Sequence, residues 1–395
     1  MAERDAYLVS ACRTAIGEFM GGLASVTAPQ MGAVAVREAV TRAGIDPKEV
    51  DEVLMGNVVQ AGVGQAPARQ AAIHGGIPAT VPATTINKVC GSGLKAVMLA
   101  AQAIRAGDAD VIVAGGMESM SNAPYYLRNA RSGYRLGNGE LVDGVVGDGL
   151  WCAFKNWHMG SAAELIARKF NVTREDQDRF SVDSHQKAVK AQKEGKFQAE
   201  IVPVPVPQRK GDPKPFTVDE RPRPDTSMET LGKLRPAFEK EGTVTAGNAP
   251  GLNDGASAVV VMSGEAVKRL GVKPMARITG YAAGGTEPEM LFYAPVVAVR
   301  RLAEKLGLKT NAWDLVEANE AFAAQAIVDA RELEWDPARL NVHGGAVALG
   351  HPIGASGARI LTTLLYAMRD RRARTGLATL CLGGGNAVAL SVEAA

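Results

Sequence analysis

The chain has 395 residues, of which 46% are hydrophobic and 22% charged, and its formal net charge is +2. A globular chain of this length is too long to fold around one ordinary hydrophobic core, so two or three domains are expected. The nearly balanced charge does not indicate a nucleic-acid or membrane-surface partner, and no apolar run approaches the roughly 20 residues that span a membrane.

The cysteine pattern also limits which class of protein this can be. There are four, spread over the whole chain: Cys12, Cys90, Cys152 and Cys381. They form neither a C-x-x-C pair nor a metal-ligand spacing, so we expect free thiols in a reducing compartment and no metal site. The first residues, "MAERDAYLVSACRTAIG", lack the apolar core of a signal peptide, and we expect a cytoplasmic protein.

The first strong pattern lies at 35–57, "AVREAVTRAGIDPKEVDEVLMGN". It predicts an amphipathic helix that ends at Gly44, a short loop, and a strand that ends at Asn57. The next element is a glycine turn with Cys90, followed by a helix over 91–104 and a buried strand within 109–119. A cysteine before a helix N-terminus is favoured as a thiolate, although a buried structural cysteine is the plainer interpretation.

The region 120–247 does not follow this pattern. It contains a helix-like stretch at 160–195 and a proline-rich stretch at 201–224, where prolines at alternate positions favour an edge or extended segment. Long excursions of this kind often carry binding functions. Seven basic residues gather late in it and form either a solvated face or an anion site: Arg209, Lys210, Lys214, Arg221, Arg223, Lys233 and Arg235.

The helix–strand pattern then returns. Residues 298–319 match 35–57, with Gly307 and Asn319 at the equivalent ends, and the pair 355–368 and 376–386 matches 91–104 and 109–119. The sequence therefore predicts two similar α/β units packed together.

Chemically reactive side chains gather at the predicted strand ends and glycine turns. They are Cys90, Asn319 in "EANEAFA", His351 in "GGAVALGHPIGASG" and Cys381 in "TLCLGGG". A cysteine and a histidine form a nucleophile and its activating base, and glycine-rich backbone supplies N–H donors for an oxyanion.

These motifs give the chain a close resemblance to the thiolases, specifically the acetyl-CoA C-acetyltransferases. The resemblance covers nearly the whole length and includes, in order, "NKVCGSGLKAV", "VAGGMESMSNAPY", "HMGSAAE", "KLRPAF", "NEAFA", "NVHGGAVALGHPIGASGARI" and "TLCLGGG". It implies the α/β thiolase fold, with two repeated α/β domains packed together plus an inserted loop domain. The N-terminal domain is expected over 1–119 with 248–268, the CoA-binding loop domain over 120–247, and the C-terminal domain over 269–395.

The resemblance also implies the roles of the reactive residues. Cys90 is the nucleophile that becomes acylated, and His351 is the base that activates it. Cys381 moves a proton at the α-carbon of the second thioester. Asn319 holds a water that forms one oxyanion site with His351, while the backbone N–H groups of Cys90 and Gly383 form the other.

The implied activity is the reversible Claisen condensation of two acetyl-CoA molecules to acetoacetyl-CoA and CoA through an acyl-cysteine. CoA is then a substrate or product, and no tightly bound cofactor is expected. The resemblance also implies a homotetramer, with contacts at the stretch "SGYRLGNGELVDG". The implied contacts to CoA are Leu150, His158, Met159, Arg223 and Ala246, with Pro250 at the place of a family serine.

Three departures from the family pattern bear on substrate choice. Pro250 has neither a hydroxyl nor an N–H to bind pantetheine, so that contact is either lost or replaced by a backbone group such as the Ala246 carbonyl. Residues 291–294 read Leu-Phe-Tyr-Ala where many biosynthetic thiolases have Met-Gly-x-Gly, and residues 386–387 read Asn-Ala where Met-Gly is usual. Side chains that point into the acyl site at 291–293 would favour short chains, and side chains that turn away would leave room for longer ones.

Three alternatives remain at this point. One is a broader-range 3-ketoacyl-CoA thiolase of fatty-acid degradation. Another is a β-ketoacyl or hydroxymethylglutaryl synthase, against which the second cysteine, Cys381, argues. The third is a non-catalytic acyl-CoA or lipid carrier with this fold, which should have lost part of the set that is complete here.

Overall fold

The computed structural model describes residues 4–395. Within this range the strands are β1 (Ala6–Thr14), β2 (Gly17–Glu18), β3 (Glu52–Gly56), β4 (Ala83–Ile86), β5 (Val111–Ser119), β6 (Tyr125–Tyr126), β7 (Val142–Asp143), β8 (Trp151–Cys152), β9 (Trp157–His158), β10 (Ile201–Val202), β11 (Val204–Val206), β12 (Lys214–Phe216), β13 (Asn253–Ser263), β14 (Ala276–Gly285), β15 (Leu315–Ala318), β16 (Thr375–Leu382) and β17 (Asn386–Ala394).

The helices of the described range are α1 (Ala28–Ala43), α2 (Pro67–His74), α3 (Ser92–Ala106), α4 (Met159–Lys169), α5 (Arg174–Lys193), α6 (Met228–Gly232), α7 (Gly264–Leu270), α8 (Ala294–Leu306), α9 (Ala323–Glu332), α10 (Ala346–Leu349) and α11 (Ile353–Arg371). Short 3-10 helices lie at Pro47–Glu49 and Pro288–Tyr293, and a π-helical turn lies at Val145–Leu150. None of these helices is long and apolar enough to cross a membrane.

The predicted repeat is visible in one mixed sheet, whose strands run β15-β16-β17-β14-β1-β13-β5-β3-β4. In the first half β3 and β5 are parallel, and β13 and β1 continue the sheet antiparallel. In the second half β15, β16, β17 and β14 repeat this arrangement. The halves meet where Tyr7 and Leu8 of β1 pair with Arg277 and Ala276 of β14. The thiolase-like α/β architecture expected from the sequence is therefore confirmed.

Helices α3 and α11 pack against each other and against strands of both halves. The ends of β3 and β5 also approach the start of α11 closely, and this depends on glycines in the two strands. A Cβ atom at Gly116 would lie 2.0 Å from the Gly354 carbonyl oxygen, and one at Gly56 would lie 2.8 Å from it. Because no side chain fits in this space, the ends of β3 and β5 and the start of α11 lie directly against one another.

The middle region forms small elements around the main sheet. The stretch predicted as helix-like is two helices, α4 and α5, because Thr173 starts a new helix with a capping box to Asp176. The proline-rich stretch is extended, with β11 paired to β12, and β10 returns to the main sheet beside β1. Buried Arg13 of β1 binds Glu200 at 2.6 Å and Asp219 at 2.7 Å, which anchors this region to the first half.

Candidate active site

Cys90 lies in a tight turn between β4 and α3. Val89, directly before it, has a φ of 48°, a left-handed conformation that is strained for a β-branched residue. Ser92, the first residue of α3, supports the turn by donating its hydroxyl to the Val89 carbonyl at 2.6 Å and accepting the Lys88 N–H at 2.8 Å. The turn leaves Cys90 half-buried at the helix N-terminus.

The surroundings of Cys90 have opposing effects on the pKa of its thiol. Burial raises the pKa of the Cys90 thiol to about 12, although hydrogen bonding by the backbone N–H groups of Gly383 and of Cys90 itself acts to lower that pKa. Desolvation is the larger effect, so the helix N-terminus does not by itself make Cys90 a thiolate. The two N–H groups act in the direction that stabilises negative charge.

His351 lies in the loop before α11, buried with 6% of its surface exposed. Its backbone N–H donates to Asn253 Oδ1 at 2.8 Å, and its ring Nδ1 lies 2.6 Å from the hydroxyl of Ser356. Nε2 has no partner among the described residues. Burial, with a smaller contribution from the nearby Arg359 cation, lowers the pKa of His351 to about 3, so the ring is neutral at physiological pH.

Cys381 lies near the end of β16, just before the glycine turn that contains Gly383. It is 1% exposed and has its pKa raised well above the usual value by burial, and further by neighbouring Cys90 and Asp329. The Cys381 thiol is therefore protonated at physiological pH and can donate a proton.

Asn319 directly follows β15. Its backbone N–H donates to the Thr379 carbonyl at 3.0 Å, which fixes it beside β16. The side chain is fully buried, and neither its Oδ1 nor its Nδ2 has a partner among residues 4–395. A buried amide with both polar atoms unpaired is costly unless a water or a ligand binds it.

Most of these residues line one cavity of about 420 Å³. Its lining includes Cys90, His351, Cys381 and Gly383, but not Asn319. The proposed CoA contacts that also line it are Leu150, His158, Met159, Ala246 and Pro250. The cavity thus brings the sulfur–imidazole chemistry and most of the expected CoA contacts together.

Arg223 is the exception among the expected CoA contacts. It lies in a neighbouring surface pocket with Gln186, Lys190 and Lys193. Arg221 lines the main cavity instead, and it is held there by donating Nε to the Val347 carbonyl and an Nη to the Ala249 carbonyl, each at 3.0 Å. The spacing of the basic cluster gave no means to tell which arginine faces inward.

Two phenylalanines that were not predicted as site residues, Phe238 and Phe322, complete one wall of the cavity. His158 stacks on Phe238 with ring centroids 4.8 Å apart, and Phe238 meets Phe322 edge-on at 6.2 Å. Both phenylalanines lie in motifs used for the family resemblance, "KLRPAF" and "NEAFA". Their place in those motifs was the signal that could have identified them as site residues.

The Leu-Phe-Tyr segment divides between two environments. Leu291 and Phe292 are 1% and 2% exposed and line the cavity, and Phe292 packs edge-on against Phe322 at 5.3 Å. Tyr293 points elsewhere, since its hydroxyl donates to Glu332 at 2.8 Å and its ring stacks on Phe170. Two of the three bulky side chains therefore occupy volume beside the reactive groups.

Comparison with known families supports the resemblance. The model of the thiolase N-terminal domain matches residues 6–265, and that of the thiolase C-terminal domain matches residues 272–394. The chain belongs to the thiolase family. As a thiolase it is an enzyme of acyl transfer, and among its described residues no group of three His, Cys, Asp or Glu could hold a metal ion.

Relatives of this thiolase share almost its full length. It is 56% identical to the acetyl-CoA acetyltransferase of Pseudomonas aeruginosa over 389 residues, which cover 98% of this chain and 99% of the relative. It is 57% identical to the protein of the same name from Chromobacterium violaceum over the same shares. The crystal structure of the Bacillus anthracis acetyl-CoA acetyltransferase superposes with a TM-score of 0.97 at 42% identity, and each chain is covered completely.

Proposed function

We propose that this thiolase is an acetyl-CoA C-acetyltransferase that condenses two acetyl-CoA molecules reversibly to acetoacetyl-CoA and CoA. The observation that carries the proposal is the single cavity in which Cys90, His351 and Cys381 meet. The names of the relatives, both acetyl-CoA acetyltransferases, agree with the acetyl preference. The cavity volume taken up by Leu291 and Phe292 favours this over a broader-range 3-ketoacyl-CoA thiolase.

In the first half-reaction, Cys90 attacks the thioester carbonyl. Its thiol proton passes to the unpaired Nε2 of His351 as the carbon–sulfur bond forms, because neither group is ionised beforehand. The oxyanion binds the N–H groups of Cys90 and Gly383, both of which act to lower the pKa of the Cys90 thiol. CoA leaves with the proton, and the acetyl group stays on Cys90.

In the second half-reaction, Cys381 gives its thiol proton to His351 and, as the thiolate, takes a proton from the methyl group of a second acetyl-CoA. The enolate oxygen binds His351 and a water held by Asn319, whose two unpaired amide atoms support this role. The enolate carbon attacks the acetyl group on Cys90, and the released Cys90 sulfur takes the proton back from His351. Two acetyl-CoA thus give acetoacetyl-CoA and free CoA, with no change in oxidation state.

CoA binding is assigned to the lining of the cavity, with Leu150, His158, Met159 and the 246–250 segment along pantetheine. We place Arg223, with the lysines of its pocket, at the phosphate end, since guanidinium suits phosphate. The domain division given from the sequence stays part of the proposal. A cytoplasmic location is also part of the proposal, and the four free thiols support it.

We further propose a homotetramer built through the 132–144 segment. Its apolar side chains are exposed, with Leu136 at 100%, Leu141 at 63% and Tyr134 at 42%. Apolar residues clustered in one exposed segment mark an interaction surface. Sedimentation of the wild type beside a Leu136→Asp, Leu141→Asp double variant tests this, and a tetramer in both would exclude the segment.

The activity is tested by incubating the enzyme with acetyl-CoA alone and measuring acetoacetyl-CoA and free CoA. The proposal predicts equal amounts of the two products, and none from Cys90→Ala. Free CoA without acetoacetyl-CoA would indicate a hydrolase or an acyl carrier, and the failure of both products would reject acetyl-CoA as the substrate.

A further inference from the structure

Glu118 is a buried acid that the catalytic scheme leaves unused. It stands near the end of β5 and is 0% exposed. A buried carboxylate is costly unless hydrogen bonds satisfy its oxygens, so its partners indicate what it stabilises.

Four N–H groups donate to this carboxylate. Oε1 accepts from the Asn57 side chain at 2.8 Å and from the Val59 backbone at 3.2 Å. Oε2 accepts from the Val58 backbone at 3.0 Å and from the Gly354 backbone at 2.8 Å. Glu118 therefore joins the turn after β3, in the first half of the molecule, to the start of α11 in the second half.

The bond to Gly354 serves the helix that positions His351. The first N–H groups of α11 lack partners within the helix, and its N-cap residue, Pro352, provides no side-chain cap. Glu118 supplies an acceptor at that positive helix end. Burial raises the pKa of its carboxyl to about 7, so the negative charge is complete only above neutral pH. One turn further on, the same helix carries Ser356, whose hydroxyl holds the His351 ring.

Glu118 also acts on Cys90 through its charge. Burial is the main cause of the raised Cys90 pKa, and the Glu118 carboxylate raises it further. The other titratable groups around the pair are Asp254 of β13, Cys381 of β16 and His351, which is neutral at physiological pH. Glu118 thus acts on both members of the proposed nucleophile–base pair.

We propose that Glu118 is a positioning residue of the reaction: it fixes the His351 helix against the turn after β3, and its charge acts on the Cys90 thiol. This inference rests on the proposed roles of Cys90 and His351. The two effects need different properties of the side chain, namely its reach and its charge, and can be separated by substitution.

The experiment compares Glu118→Asp with Glu118→Gln. Two readouts are taken: the steady-state rates, and the rate of Cys90 alkylation by iodoacetamide between pH 6 and 9. Glu118→Asp keeps the charge but shortens the reach, so kcat should fall about 10- to 100-fold with little change in KM and near-normal alkylation. Glu118→Gln loses the charge, so alkylation at pH 9, where the wild-type carboxyl is ionised, should become at least about threefold faster, as a half-unit fall in thiol pKa gives.

Glu164→Gln is the matched control. Glu164 is also a buried carboxylate, and it accepts the backbone N–H groups of Thr243 and Val244 away from the Cys90 turn. Its substitution should lower thermal stability without changing Cys90 alkylation. Asn57→Ser removes only one donor to Glu118 and should lower kcat less than Glu118→Asp, which provides a test should the Glu118 variants fold poorly.

Unchanged alkylation in Glu118→Gln, or unchanged kcat in Glu118→Asp, would overturn the proposal. A loss of stability alone would do the same, because a purely structural residue would not change thiol reactivity. Alkylation needs no CoA substrate, so this result is independent of whether acetyl-CoA is the true substrate. If Cys90→Ala kept full activity, the proposed function would fail separately.

Discussion

The Nδ1 atom of His351 lies 2.6 Å from the Oγ atom of Ser356. The Ser356 hydroxyl donates to the Pro352 carbonyl at 2.9 Å, and it has only one proton to give. Nδ1 must then carry the ring proton and donate it to Ser356, which leaves the lone pair on Nε2. This tautomer is the one that can accept a proton from Cys90.

Replacing Ser356 by Ala should therefore reduce kcat about 10- to 100-fold, because the ring loses its fixed orientation and tautomer. Thr362→Val is the matched control. It removes another buried hydroxyl from α11, one that binds Ser257 at 2.9 Å and not His351. Both variants should lose stability, but only Ser356→Ala should lose turnover. An equal loss of kcat in both would assign the effect to helix packing.

Substitution of the second cysteine should separate the two half-reactions. Cys381→Ser should still acquire an acetyl group from acetyl-CoA, because acylation uses Cys90 and His351. It should fail at carbon–carbon bond formation, because a serine hydroxyl is a far weaker acid than a thiol. Quench-flow acetylation and steady-state condensation measure the two steps. Loss of acetylation in this variant would mean that the roles of the cysteines are exchanged.

The length of the accepted acyl chain should depend on Phe292. The wild type should show a fall in kcat/KM for thiolysis as the 3-ketoacyl chain grows from four to eight carbons, graded because apolar pockets discriminate by about 1–3 kcal/mol per methylene. Phe292→Ala should reduce this fall. Tyr293→Phe is the control, since Tyr293 faces Glu332 and should leave the profile unchanged. A rise with chain length in the wild type would contradict the short-chain preference.

The pH dependence of acylation follows from the shifted pKa of His351. The neutral ring is the active base, and its pKa is lowered to about 3, so base function is lost only as the pH falls towards that value. Cys90, with its pKa near 12, stays a thiol up to at least pH 9. The rate of Cys90 acetylation should thus be nearly constant from pH 6 to 8.5. An acid limb centred near the ordinary histidine pKa of about 6.5 would contradict this account.

The repeat could be predicted from the sequence because its signals are local. Gly44 and Gly307 were expected to end helices, and both adopt the left-handed C-cap conformation, with φ of 68° and 66°. The motifs likewise predicted the reactive residues of the cavity, because glycine turns and strand ends specify where Cys90 and His351 lie.

Features that depend on contacts distant in sequence could not be predicted. The pairing of β1 with β14 has no sequence signature, and neither does the choice of Arg221 over Arg223 for the cavity wall. The raised pKa of Cys90 could not be predicted, because the helix terminus is visible in the sequence and burial is not. The role of Glu118 could not be predicted either, since its hydrogen-bond partner Gly354 lies 236 residues away in the sequence.

The proposed mechanism requires Cys90 to carry the acyl group. Peptide mass spectrometry after brief incubation with acetyl-CoA and acid quenching measures this. We expect an acetyl group on the peptide that contains Cys90, its loss on addition of CoA, and no adduct in Cys90→Ala. An acetyl group found on Cys381 instead, or no adduct while acetoacetyl-CoA is being formed, would contradict it.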